Sequence, residues 1–261
     1  MFAKLLKYEF KSCAGLMGIL SLGSLGVGAG SGLILRYMVH TAEHMIVNDS
    51  LEMVLGILFF FSFLTLFAFA IIGSLYPLVQ FYKRKFTDQG YLTFTLPVRS
   101  WQIYLTSFLN ILFWDIIMVL TLAGGFVLVF AVGFVGTEIW GEIVRSLPIY
   151  EFEQITAELD FINPLYYLVS SLGGVMLMIN SIVLGSVIAR KRKVLGAVGV
   201  YYGTTMLMSA VSAWITNMEY VSDPLLAIER MQTATMVSAC AFGIGGAILA
   251  IWLMDKKLNL P

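Results

Sequence analysis

The stretch VLGILFFFSFLTLFAFAIIGSLYPLV, Val54–Val79, runs for 26 residues without a charged side chain. The hydrocarbon layer of a membrane is about 30 Å thick and an α-helix rises about 1.5 Å per residue, so about 20 apolar residues are enough to cross it. The rest of the chain has the same character. Of its 261 residues, 59% are hydrophobic and only 12% are charged, whereas an ordinary soluble domain is about 25% charged. So few charges cannot coat a water-facing globule, and so apolar a chain does not stay disordered. Five further runs are long and apolar enough to span: Cys13–Leu35, Ile111–Val135, Leu165–Ala189, Val194–Ile215 and Thr235–Met254. The third span in chain order can also begin earlier, at Trp101. The expected fold is an all-α integral membrane protein, a single transmembrane domain over residues 1–261 with six transmembrane helices.

Outward from these runs, the charges sort by side. The net charge is zero, but thirteen of the sixteen Lys and Arg lie before span 1, between spans 2 and 3, between spans 4 and 5, and after span 6, with only Glu9, Asp88 and Asp255 beside them. The opposite segments hold twelve acids against Arg36, Arg145 and Arg230, and the remaining acid, Asp115, lies within a span. One face therefore carries +10 and the other −9. The positive-inside rule puts the basic face, and with it both termini, in the cytoplasm. The expected location is the plasma membrane of a bacterium, multi-pass with termini inside. Basic residues occur only as short clusters beside apolar runs, which disfavours nucleic-acid binding.

Three segments lie outside the spans. Residues 1–12 read as an interfacial amphipathic helix, with Lys4, Lys7 and Lys11 on one face and Phe2, Leu5, Leu6 and Phe10 turned toward lipid. The first span is too long for a signal-peptide core and follows a segment carrying Glu9, so it reads as retained. The internal loop over residues 81–100 is the longest on the basic side. It holds Lys83, Arg84, Lys85, Phe86, Asp88, Tyr91, Leu92, Phe94 and Leu96, a large apolar content for a loop beside water. Either the lipid interface or a docked protein would cover it. The external segment over residues 137–164 carries six of the twelve acids of that face and two apolar stripes, and reads as short helices on the outer surface.

Few residues carry chemistry. His40-Thr41-Ala42-Glu43-His44 matches H-x-x-E-H, in which two imidazoles one helical turn apart hold zinc. The match sits in a short external stretch with no domain to form a cleft, and incidental surface residues explain it better. Cys13 and Cys240 form no C-x-x-C pair, so no metal site and no cofactor is expected in this chain. Gly26, Gly28, Gly30 and Gly32 fail the G-x-G-x-x-G frame because Ser31 stands at its last glycine. They form small-xxx-small pairs, as do Gly199/Gly203 and Gly243/Ala247, and such pairs let helices approach closely in lipid. The four glycines of span 1 are the expected dimer-packing surface. Asp115, Asn110 and Asn180 are polar groups within spans, read as structural hydrogen-bonding groups or as candidates for a transport pathway.

The opening M-F-A-K-L-L-K-Y-E-F-K-S and the stretch D-Q-G-Y-L-T-F-T-L-P-V (88–98), followed by S-W-Q-I (100–103), resemble the permease subunits of ABC-2 type transporters, the membrane half of an ATP-binding-cassette exporter. In that family a connecting helix opens the chain and an "LP" element leads into the third helix. The resemblance implies six spans, a coupling helix at about Lys83–Leu92 docking on a separate ATP-binding subunit, and ATP and Mg on that partner. It also implies a second permease copy, as a homodimer or a heterodimer. The family's re-entrant hairpin before the last span has no clear counterpart, because Asn217–Gln232 is short and polar. On this reading the chain is not catalytic alone, and it moves an amphipathic or apolar cargo, such as a peptide or antibiotic, out of the cell. The alternative is a secondary carrier or channel independent of an ATPase. A membrane-embedded enzyme built on His40, Glu43 and His44 is a third reading. The charge asymmetry is testable by itself: a cysteine placed beyond Lys257 is expected to escape a membrane-impermeant thiol reagent applied to intact cells, and labelling there would invert the topology.

Overall fold

No proline occurs before Pro77, and nothing else in the early sequence forces a helix to stop. In the computed structural model the first element accordingly runs unbroken. The structure describes residues 2–43, 49–87, 90, 98–137, 140–142, 145, 164–189, 191–216 and 224–257. Six long helices follow one another: α1 (Phe2–Glu43), α2 (Asp49–Phe86), α3 (Ser100–Phe134), α4 (Pro164–Ile188), α5 (Lys193–Thr216) and α6 (Pro224–Lys257). All six are long and apolar enough to cross a membrane, and the described residues contain no strand. Large apolar side chains such as Phe60, Phe61, Val119, Leu207 and Ile248 stand exposed, as suits helices surrounded by hydrocarbon rather than water.

Several helices outrun the apolar runs that predict them. The N-terminal helix expected over residues 1–12 is the first turns of α1, not a separate element, because Tyr8–Ala14 contains no breaker. Its inner face is a continuous buried stripe of Glu9, Cys13, Met17, Leu20, Ser24, Gly28 and Ser31, at spacings of three and four. Lys4, Lys7 and Lys11 lie on the opposite, exposed face. Leu5 and Phe10 pack against protein rather than facing lipid. The third helix takes the earlier of its two expected starts. It ends where Gly136 adopts a φ of 87°, a left-handed backbone that suits glycine at a helix C-terminus. The sixth helix opens at Pro224, whose fixed φ suits a first helical position. Most of the segment expected as a polar connection before span 6 is therefore helical. The external segment at 137–164 lies mostly outside the described residues.

The chain forms two compact units. One combines Met1–Glu9, Leu78–Leu112 and Glu153–Pro261; the other combines Phe10–Pro77 and Phe113–Phe152. The first unit contains the mutually packed α4, α5 and α6. Its core includes Phe81, Phe86, Ile103, Tyr104, Ile179, Val183 and Met254. Here α4 and α5 approach backbone to backbone, since a Cβ on Gly185 would fall 2.5 Å from the Gly196 carbonyl carbon. Gly173 lies likewise against Ala239 on α6.

The second unit packs Cys13, Met17, Leu20, Trp114 and Met118 together, with Phe10 edge-on to Phe113 at 4.8 Å. Its close approach is between α1 and α3. A Cβ on Gly28 would lie 2.7 Å from the Gly125 Cα, and one on Gly32 would lie 2.7 Å from the Val132 Cβ. Gly26 and Gly30, on the other side of α1, face open space. The four glycines expected as one dimer surface are thus divided, because residues two apart lie on different faces of a helix. Gly28→Ala is expected to cost about 1–3 kcal/mol through overpacking, and Gly26→Ala to stay within about 0.5 kcal/mol of the original stability. Thermal unfolding of the detergent-solubilised chain distinguishes them; equal effects would place the close contact elsewhere.

Candidate functional site

The cluster expected to receive a partner lies at the end of α2. From Leu78 onward the sequence LVQFYKRKF holds no breaker, so the helix continues through it to Phe86. Leu78, Phe81 and Lys85 fall at spacings of three and four and face inward together. Phe86 is buried beside them, its ring 5.6 Å from that of Phe81 and stacked on Tyr82. Lys83 is exposed and Arg84 half-buried. Lys83–Phe86 is therefore the last turn of α2 and not a separate coupling helix. Phe86, one of the apolar residues expected in the internal loop, is part of the core, because helical continuity rotates it onto the inner stripe. Asp88 and Tyr91 lie outside the described residues.

Lys85 carries a charge onto an apolar stripe, and such a charge needs a partner. Its Nζ is 2.7 Å from Glu9 Oε1, and both side chains are sealed, at 2% and 7% exposure. Glu9 was not singled out by sequence reasoning. The signal was present: Glu9 is the only acid before span 1, and it lies on the apolar face of α1, away from Lys4, Lys7 and Lys11. A second cation completes the junction. Lys193, the first residue of α5, donates from Nζ to the Phe86 carbonyl oxygen at 2.7 Å. That oxygen belongs to the last turn of α2, where the carbonyls lack intrahelical donors and the helix dipole favours a cation.

Of the polar groups within the spans, Asn110 and Asn180 fall in the first unit and Asp115 in the second. Asn180 ties three helices of the first unit. Its Oδ1 accepts from the Tyr104 hydroxyl at 2.8 Å, and its Nδ2 donates to the Gly243 carbonyl at 3.1 Å. Gly246 makes room for it, since a Cβ there would sit 2.5 Å from that Nδ2. Asn110 is buried in the same unit. Asp115 belongs to the other unit, and its Oδ1 is buried without a hydrogen-bond partner among the described residues. A further tie joins α5 to α6, where the Ser212 and Ser238 hydroxyls meet at 2.7 Å.

His40 stands exposed near the end of α1, and His44 lies outside the described residues. Among the described residues no three His, Cys, Asp or Glu side chains are grouped to hold a metal ion. Gly199 and Gly203 on α5 face open space, whereas Gly243 meets Met176 and Gly173 within its own unit.

The Asn180 tie predicts a stability loss. Asn180→Leu is expected to lower stability by about 1 kcal/mol and Tyr104→Phe by about 0.6 kcal/mol, the range of interhelical hydrogen bonds in membrane proteins. Thermal unfolding in detergent measures both; no shift in either would make the tie energetically idle. Comparison with protein-family models, with curated proteins and with solved structures found no match to this chain.

Proposed function

We propose that this chain is the permease subunit of an ABC-2 type exporter, which moves an amphipathic or apolar cargo across the membrane with energy from a separate ATP-binding subunit. The observation that carries the reading is the basic end of α2, held by the buried Glu9–Lys85 pair while Lys83 remains exposed. A helix end so fixed can receive a push and pass it into the spans, where a mobile loop would absorb it. Six apolar helices and the resemblance of the N-terminal and 88–103 stretches to ABC-2 permeases support the same reading. On this proposal the basic face is cytoplasmic, the partner holds ATP and Mg, and a second permease copy completes the transporter. Of the four glycines expected at the dimer surface, Gly26 and Gly30 are open on α1 and available to that copy. With Phe86 buried, the docking surface is reassigned to Lys83 and Arg84 together with the segment that follows them.

A carrier working without an ATPase has one observation in its favour, the buried Asp115 oxygen within α3 that lacks a partner among the described residues. Such carboxylates mark ion pathways in secondary transporters.

The two readings separate on purification. The tagged chain, taken from its native membrane, is expected to bring with it a subunit carrying a Walker A motif, and the complex to hydrolyse ATP. Lys83→Glu with Arg84→Glu is expected to reduce copurification at least tenfold while the protein still inserts. Cargo movement that needs no ATPase and is abolished by Asp115→Asn would replace the exporter with the carrier.

A further inference from the structure

Three helix ends meet through charge at one place in the first unit: α1 through Glu9, α2 through Lys85 and Phe86, and α5 through Lys193. We propose that the Glu9–Lys85 pair, together with the Lys193 cap on the Phe86 carbonyl, is a clamp that holds these ends in one register, so that displacement of any of them is carried to the other two. The clamp is independent of what delivers the displacement, and does not require an ATPase.

The reasoning begins with what a buried ion pair does. Removing two charges from water costs about as much as their attraction returns, so an apolar pair of similar volume holds two helices together equally well. Both positions lie on apolar stripes where a leucine or methionine would suit the pattern. What a charged pair adds is a single permitted geometry, because only one register of α1 against α2 brings the ammonium to the carboxylate. The 2.7 Å separation and the near-complete burial of both side chains leave no solvated alternative.

The chain after α2 closes the junction further. Buried Gly90 donates its amide to the Thr87 carbonyl at 2.8 Å and packs on the Lys85 backbone so tightly that a Cβ would fall 2.8 Å from the Lys85 carbonyl carbon. Lys83 and Arg84 immediately precede Lys85 in sequence, and it is the Lys85 ammonium that meets Glu9. Neutralising Glu9 leaves the Lys85 ammonium buried without its counter-charge, and the contact that sets the register of the α1 end is lost. Lys193 extends the clamp to α5 by a different bond, from a side chain to the last turn's backbone.

The test uses spin labels on the full chain in lipid nanodiscs, in a Cys240→Ala background; Cys13, the other thiol, is fully buried. Labels on Lys7→Cys and Lys83→Cys, both exposed positions, report α1 against α2. Labels on Lys83→Cys and Val194→Cys report α2 against α5. One narrow distance is expected for each pair. Glu9→Gln is expected to abolish the narrow α1–α2 distance in favour of a longer, broader one, and the charge swap Glu9→Lys with Lys85→Glu to restore it. The apolar pair Glu9→Gln with Lys85→Met is expected to keep the thermal midpoint but not the narrow distance. Lys193→Met is expected to broaden α2–α5 alone. An unchanged distribution in Glu9→Gln, or a native one in the apolar pair, would overturn the clamp, since packing would then set the register. An unchanged α2–α5 distance in Lys193→Met would overturn its extension to α5. If Glu9→Gln does not fold, the two charge-balanced double variants still decide. None of these readings involves ATP, so their outcome is separate from that of the exporter proposal.

Discussion

A lysine ammonium 2.7 Å from a glutamate carboxylate, both nearly sealed from solvent, constrains this structure more tightly than any apolar contact in it. Apolar side chains can slide along one another at little cost, whereas a buried charge separated from its partner is penalised by several kcal/mol. The pair therefore dictates where α1 begins relative to the end of α2. The Lys193 ammonium on the Phe86 carbonyl brings the start of α5 to the same place. The N-terminal end of α1 and the C-terminal end of α2 consequently belong to the unit containing α4–α6, while the remainder of both helices belongs to the other unit. For α2 the change falls at Pro77, whose missing amide hydrogen deprives the Gly73 carbonyl of its intrahelical donor.

Elsewhere the helices are held by close approach and by isolated hydrogen bonds. Hydrocarbon solvates leucine as well as protein does, so apolar surface alone gives helices little reason to associate. Gly28 against Gly125 and Gly185 against Gly196 supply dispersion contacts by letting backbones touch. The Tyr104–Asn180–Gly243 tie and the Ser212–Ser238 pair supply directed bonds. Serines on the inner faces, such as Ser24, Ser31 and Ser181, donate back to carbonyls of their own helices, which satisfies their buried hydroxyls within the helix.

These features bear on function through stiffness. A transporter driven from outside its spans needs a contact that transmits displacement, and a helix end joined by charge to two others transmits it better than a loop docked on lipid. The same construction removes Phe86 from the surface and leaves Lys83 as the exposed basic side chain of that turn, with Arg84 half-buried. Asn180, whose oxygen and nitrogen both have partners, is accounted for as a structural tie. Asp115 Oδ1, by contrast, is buried without a hydrogen-bond partner among the described residues.

The six apolar helices were legible in the sequence because the hydrocarbon thickness sets a minimum length that composition alone reveals. The stripe of α1 could also be read, since Glu9 shares its face with Cys13 and Met17 while the lysines share another. Helix ends were less legible. Polar turns after an apolar run continue as helix unless glycine or proline stops them, so α1 absorbed the expected connecting helix, α2 the first four of the expected coupling residues, Lys83–Phe86, and α6 part of the expected connection before it. Pairing was not legible at all. Nothing in the one-dimensional pattern says that Glu9 meets Lys85, that Lys193 reaches Phe86, or that Gly28 is taken by α3 while Gly26 is left open. Those partners lie tens of residues apart on different helices, and only the packing of one helix against another decides which faces meet.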